Sequence, residues 1–305
     1  MTKEINSNTL IYKICDNDVG IKLKEVLYDR MRLSGRLTRK LKRSKTIYVN
    51  DNNTFLHGAL KKGDVVKVIM LDDPNNFEPQ DIPIDTIYED MDLLIINKQP
   101  NIVVHPTKGH PDNTIANGLV NYLQKTQQSF KIRFINRLDR DTSGLLMIGK
   151  NPFAQQELSN QMASNLVEKK YLAVVRGVIK SDSGTIDAPI GRMEEDSIHR
   201  TVIQSGQRSI THFEVIDRYH DASFVRLTLE TGRTHQIRVH MKHIGHPLIG
   251  DELYGYVNED LINRQALHAE TLRFNQPRTG EEKFVKAEMP EDIKNLIVKL
   301  KNHGE

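Results

Sequence analysis

Around residues 130–150 the chain changes its hydrophobic rhythm twice. Ile132 and Phe134 alternate with polar neighbours, a dense polar stretch follows, and Leu145-Leu146-Met147-Ile148 is then an unbroken apolar run. Alternation predicts a half-buried strand and a short apolar run predicts a buried one, so the polar stretch reads as a loop between two strands. Upstream, Leu23, Val26 and Leu27 form a stripe at helical spacing. Ser34-Gly35 interrupts it, and Leu37 with Leu41 resumes it, which predicts two short helices over 20–45. Strands follow at 46–49 and 65–70, bounded by Asn50-Asp51-Asn52-Asn53 and Lys62-Gly63-Asp64. A buried strand at 93–96 precedes a helical face traced by Ile115, Leu119 and Leu123. Asn151 and Pro152 have the character of a helix cap and first-turn proline above Phe153, Leu158 and Met162. Further strands are predicted at 171–175, 210–216 and 224–229. Many strands, few helices and an irregular order predict an α+β fold with a mixed, mostly antiparallel central sheet flanked by helices.

A length of 305 residues allows one or two domains with a sizeable core. No apolar run approaches the roughly 20 residues needed to span a bilayer, and Met1-Thr2-Lys3-Glu4-Ile5-Asn6 lacks a signal-peptide core. The single cysteine, Cys15, excludes an internal disulfide and suits a reducing, cytoplasmic setting. The net charge of +3 says little, but its distribution says more. From Arg30 to Lys45 there are eight basic residues and no acidic one. Like charges one helical turn apart repel unless a polyanion covers them, so this segment is expected to bind nucleic acid through Arg36, Arg39, Lys40, Lys42 and Arg43. Residues 73–86 are acidic and proline-spaced, which predicts a semi-rigid linker. It divides a small N-terminal α/β domain at 14–72 from a larger domain at 87–305.

The loop Asn136-Arg137-Leu138-Asp139-Arg140-Asp141-Thr142-Ser143-Gly144 concentrates the candidate chemistry, with Asp139 foremost. Two other patterns are decoys. Gly144 to Lys150 has phosphate-loop spacing, but its four middle positions are large and apolar and Asn151 replaces the metal-binding hydroxyl residue. His235, His240, His243 and His246 lie close together without the cysteine or carboxylate partners of a metal site, so polar packing is expected and no metal is assigned. Thr231-Gly232-Arg233-Thr234-His235 follows a strand and opens a helix with Ile237, Met241 and Ile244. Such a turn can aim a guanidinium at an anion. At about 4 Å and an effective dielectric near 20, a guanidinium attracts a carboxylate by roughly 4 kcal/mol before desolvation. A pairing of this kind leaves an aspartate available as nucleophile or base. The alternative role for Asp139 is to cap its own turn through the backbone of Thr142 or Ser143.

The loop resembles the H-R-L-D-x-x-T-S-G signature of the RluA-type pseudouridine synthases. Matches continue in the same order at Ile96-Asn97-Lys98 to Val104-His105-Pro106, Lys170-Tyr171, Pro189-Ile190-Gly191-Arg192, Gly232 to His240, and Arg264-Gln265-Ala266-Leu267-His268-Ala269. The two basic helices with Ile47-Tyr48-Val49-Asn50 and Gly63-Asp64 resemble the small αL-type RNA-binding module first seen in a small-subunit ribosomal protein. The resemblance covers about residues 80–290 and implies the central sheet of that family. It also implies isomerisation of a uridine within RNA, ribosomal RNA first and transfer RNA second, with no cofactor or metal. By similarity Asp139 is the catalytic aspartate, attacking the sugar or the base or acting as base in a glycal route. Tyr171 stacks on the target base, Arg233 pairs with the catalytic carboxylate, and Arg137 fills the space left by the flipped nucleotide. Asn136 stands where the family has His, and a supporting hydrogen-bond role there is compatible with Asn. Two rivals follow: a non-catalytic RNA-binding protein on the same scaffold, and a base-releasing glycosidase, which needs a second carboxylate such as Asp141. A monomer is expected.

Overall fold

The computed structural model of the protein describes residues 7–54, 58–107, 109–194, 198–255, 257 and 260–302. The N-terminal module is a four-stranded sheet of β1 (Thr9–Lys13), β2 (Ile47–Val49), β3 (Asn52–Asn53) and β4 (Val65–Ile69), ordered β1-β4-β2-β3. Against it pack α1 (Leu23–Glu25), which continues into a wider turn at Val26–Arg30, and α2 (Gly35–Arg43), capped by the Ser34 hydroxyl. Leu23, Val26, Leu27, Leu37 and Leu41 supply the buried helical stripe. The module starts earlier than residue 14: β1 pairs along β4, and Leu10 enters the module's core. Only Leu10 of that strand is buried, too few positions for an alternating pattern to register.

The larger domain is built on a 10-stranded sheet. Its strands are β5 (Thr86–Glu89), β6 (Leu93–Lys98), β7 (Arg133–Phe134), β8 (Ser143–Gly149), β9 (Glu168–Arg176) and β10 (Ser183–Asp187). A two-stranded hairpin of β11 (Ile190–Gly191) and β12 (Thr201–Val202) intervenes before β13 (Ile210–Arg218), β14 (Ala222–Leu229), β15 (Leu267–Asn275) and β16 (Glu282–Lys286). The order is β10-β13-β14-β9-β15-β8-β6-β5, with β16 on β15 and β7 on β8. Among the described residues every pairing in this sheet is antiparallel except β15 with β8, so the expected mixed, mostly antiparallel sheet is present. The helices α3 (Ile115–Lys125), α4 (Pro152–Ala163), α5 (Gln236–His243) and α6 (Glu291–Asn302) flank it. Residues 144–150, with their phosphate-loop spacing, are the buried strand β8 and its end.

The parallel pair places Ser143 opposite His268 and Gly144 opposite Ala269. Gly144 has φ +109°, and a Cβ there would run into the Ala269 backbone, so only glycine lets the loop enter β8 this close to β15. Residues 73–86 lie along the larger domain: the Asn75 side chain donates to the Phe130 carbonyl at 2.8 Å and accepts from Ile132 N–H at 2.9 Å. The module is docked as well. Phe153 of α4 belongs to the module's apolar cluster, Arg32 pairs with Glu157 at 2.9 Å, and Arg278 donates to the Thr9 carbonyl at 2.7 Å. Among the described residues no helix is long and apolar enough to cross a membrane.

Candidate active site

The polar loop after β7 is fastened from both sides. The Asn136 side chain accepts from Met147 N–H at 2.7 Å and donates to the Leu145 carbonyl at 3.2 Å, so it bonds the loop's first residue to β8. Asn thus does a supporting job here. Thr142 and Ser143 are buried: Gln265 reaches the Thr142 hydroxyl at 3.3 Å, and His268 Nδ1 lies 3.0 Å from the Ser143 hydroxyl. Arg264 donates to the Asp141 carbonyl at 2.9 Å and is itself paired with Asp292. Below the loop the ammonium of Lys98, fully buried, donates to the carbonyls of Gln99, Ile102 and Arg140 at 2.8–2.9 Å. Burial pushes its pKa down to about 7, against the pull of the Asp141 and Asp139 charges.

Between these supports Asp139 faces a cavity of about 490 Å³ with Tyr171, Arg238 and His235. Its Oδ2 accepts from Arg238 Nη1 at 3.1 Å, and His235 Nε2 lies 3.9 Å from Oδ1. Within its own turn the Thr142 N–H donates to the Asp139 main-chain carbonyl, and among the described residues no hydrogen bond ties the side chain to the Thr142 or Ser143 backbone, so it is not spent on capping. Arg238 is buried and also donates bidentately to Asp251, through Nε at 2.7 Å and Nη2 at 2.8 Å. Burial disfavours its charge, but the hydrogen bonds and charges of Asp251 and Asp139 outweigh burial and raise its pKa. Asp251 has no exposed side-chain surface and takes two more donors, Leu253 N–H and Tyr254 N–H, both at 3.0 Å. The Tyr254 ring lies 5.0 Å from the Arg238 guanidinium carbon, and its hydroxyl bonds to His235 Nδ1 at 2.8 Å. His235 holds a left-handed backbone, φ 58°, at the start of α5, and burial lowers its pKa while the Asp139 charge opposes this.

Arg233 does not pair with Asp139. It is exposed on the lip, with Nε on the Arg208 carbonyl at 3.2 Å, and the guanidinium that meets Asp139 belongs to Arg238. Position 238 lies inside α5 beside Ile237 and Met241, on the buried side, where an arginine needs a buried counter-ion. A buried-face arginine in a helix was the one available signal; its partner Asp251 had none. Tyr171 lines the cavity from β9, and burial, with Asp139 second, pushes its hydroxyl pKa up. Arg137 is exposed at the mouth. His240, a decoy in the sequence, is buried with both ring nitrogens occupied, by the Thr211 hydroxyl at 2.8 Å and the Ala188 carbonyl at 2.9 Å. Among the described residues no three His, Cys, Asp or Glu side chains are grouped to hold a metal ion. Arg36, Arg39, Lys40 and Arg43 line a groove of about 930 Å³ between α2 and α4; Lys42 is outside that lining.

Residues 92–243 match the RNA pseudouridylate synthase family. An uncharacterized RNA pseudouridine synthase of Bacillus subtilis is 47% identical over 230 residues, covering 74% of this chain and 75% of its own. The ribosomal large subunit pseudouridine synthase D of Nitrosomonas europaea is 34% identical over 316 residues, covering 97% and 89%. The chain belongs to the RNA pseudouridylate synthase family. It is therefore an isomerase that acts on RNA. The solved structure of human RNA pseudouridylate synthase domain containing 1 superposes with a TM-score of 0.57 at 30% identity, over 68% of this chain and 83% of that one. Among the described residues the cavity of this pseudouridine synthase has a single carboxylate in its lining, Asp139, while Asp141 is held bidentately by Arg140 at 2.8 and 3.0 Å. A two-carboxylate glycosidase arrangement is not what the lining offers.

Two outcomes follow for purified protein. Arg238→Leu leaves Asp251 buried and unpaired and should cost about 3–5 kcal/mol in denaturant unfolding, whereas Arg233→Ala should stay within about 0.5 kcal/mol of wild type. Equal effects would contradict the placement of the two arginines. For Lys98, the unfolded chain holds a proton up to about pH 10.4 that the folded chain releases near pH 7. Stability should therefore rise with pH between those values, by up to about 1.4 kcal/mol per pH unit, and Lys98→Met should lack that rise. Unfolding midpoints at pH 7 to 10 measure it.

Proposed function

We propose that the protein converts uridines of large-subunit ribosomal RNA to pseudouridine, with Asp139 as the nucleophile or base that acts on the target nucleotide. The observation that carries this reading is the single carboxylate among the described residues of the cavity, clamped by Arg238 and sharing the space with Tyr171. Relatives named for the large ribosomal subunit support the RNA class, with transfer RNA as the second candidate. Tyr171 stacks on the extruded base, and Arg137 at the mouth occupies the position that the base vacates. Arg233 on the lip contacts the RNA. The Asn136 bonds to β8 support an intact loop and so favour an active enzyme over a non-catalytic scaffold.

The RNA extends from the cavity toward α2. Lys131, Arg133 and Gln155 are common to the groove under α2 and to a smaller cleft that reaches Arg137, which supports one track of positive charge. Arg36, Arg39, Lys40 and Arg43 contact phosphates there, and Lys42 adds to the field. The protein works as a monomer in the cytoplasm.

Pseudouridines mapped in RNA from cells lacking the gene test this reading. One or more sites in large-subunit ribosomal RNA should be lost, restored by the wild-type gene and not by Asp139→Asn. Loss confined to transfer RNA, or restoration by Asp139→Asn, would contradict it.

A further inference from the structure

Among the described residues Lys169 has no counter-ion. It sits in β9 two residues before Tyr171, and both side chains are on the same face of the strand, 8% exposed and lining the same cavity. Lysine is almost never this buried unless paired. Its strand neighbours are otherwise engaged: Lys170 pairs with Glu168 at 3.3 Å, and Glu168 also faces Arg273. Across the sheet Lys169 lies opposite Leu272, and Met162 of α4 lines the cavity beside it. Burial alone lowers its pKa, with no charged neighbour adding to or opposing the effect. The ammonium is not sealed off, for the buried side-chain atoms lacking a partner among the described residues are Asn8 Oδ1, Thr38 Oγ1 and Tyr219 Oη. Its side chain is part of the wall of the cavity.

A cation held in an apolar wall without a partner is costly unless a ligand completes it. Among the described residues the one carboxylate of the cavity is Asp139, and it is already paired with Arg238, which it shares with Asp251. Residues two apart on a strand are about 6.6 Å apart, so Lys169 stands at the margin of the Tyr171 ring, where the edge of a stacked base would reach. We propose that Lys169 is a catalytic residue that donates a hydrogen bond to a carbonyl oxygen of the target uracil and stabilises the negative charge that the base acquires. This rests on the isomerase reading and on Tyr171 as the stacking residue. In the reaction the C1′–N1 bond breaks and its electron pair stays with uracil, spread over N1, O2 and O4. Carbon five then bonds to C1′, loses its proton, and N1 gains one. Lys169 transfers no proton. It places positive charge where negative charge develops, and a preorganised donor of that kind matters most in the transition state. A backbone phosphate of the same nucleotide is the other oxyanion that a lysine could take, and the test separates the two.

Full-length wild type, Lys169→Met and Lys169→Arg are assayed on transcripts of large-subunit ribosomal RNA made with uridine, 2-thiouridine or 4-thiouridine, with thermal unfolding measured in parallel. Methionine matches the lysine chain without its charge, so Lys169→Met should unfold at or above the wild-type temperature. Its kcat should fall by about 10²-fold with KM within about twofold, and Lys169→Arg should recover part of the loss. One of the two thio substitutions should slow wild type and add nothing to the Lys169→Met defect, because sulfur is the weaker acceptor. Unchanged kcat in Lys169→Met, or a loss confined to KM and indifferent to both thio bases, would overturn the assignment, the latter in favour of a phosphate contact. A lowered unfolding temperature with kcat intact would make the lysine structural. Wild type that forms no pseudouridine in any transcript would instead overturn the isomerase reading, and the role of Lys169 would fall with it.

Discussion

The guanidinium of Arg238 lies between two carboxylates, Asp251 deep in the fold and Asp139 at the cavity wall, and the site depends on that arrangement. Bidentate bonds to a fully buried Asp251 fix the plane of the guanidinium, leaving Nη1 to meet Asp139. Buried ion pairs contribute little net stability, but a partner removed from one is costly. The function of the arrangement is therefore positional. Asp139 is held as one end of a rigid chain whose other end is locked by the backbone N–H groups of Leu253 and Tyr254. Tyr254 ties His235 into the same unit, and His235 accepts a left-handed backbone to stay there.

A second set of restraints keeps the loop itself from moving. Among the described residues the parallel contact of β8 with β15 is the only one of its kind in the sheet, and it passes through Gly144 and Ser143. Arg264 and Gln265 just before β15 and His268 within it take up the polar groups of Asp141, Thr142 and Ser143. Lys98 closes the underside with three carbonyl contacts. Motifs far apart in the chain thus turn out to be the two halves of one clamp. Thr-Ser-Gly needs its hydroxyls and its missing Cβ because Arg-Gln-Ala-Leu-His-Ala lies against it.

Features set by local chemistry were legible in the sequence. The two strands around the loop, the Asn151 cap with Pro152, the basic face of α2 and the candidacy of Asp139 all follow from neighbouring residues. What escaped it is non-local. Arg238 meets Asp139 across 99 positions, and the choice between Arg233 and Arg238 depends on Asp251, which no pattern near either arginine announces. Strand β1 has only one buried residue and gains its identity from β4. Lys169 looks like an ordinary polar position until the cavity lining shows its side chain walled in beside Tyr171.

We propose that this framework holds Asp139 for chemistry and not for stability. This is tested most directly by release of tritium from ribosomal RNA labelled at carbon five of uracil, with purified wild type and Asp139→Asn, alongside their unfolding curves. Wild type should release tritium and Asp139→Asn none above background, while the variant still unfolds cooperatively with Arg238 held by Asp251. Tritium release by Asp139→Asn at the wild-type rate would contradict it.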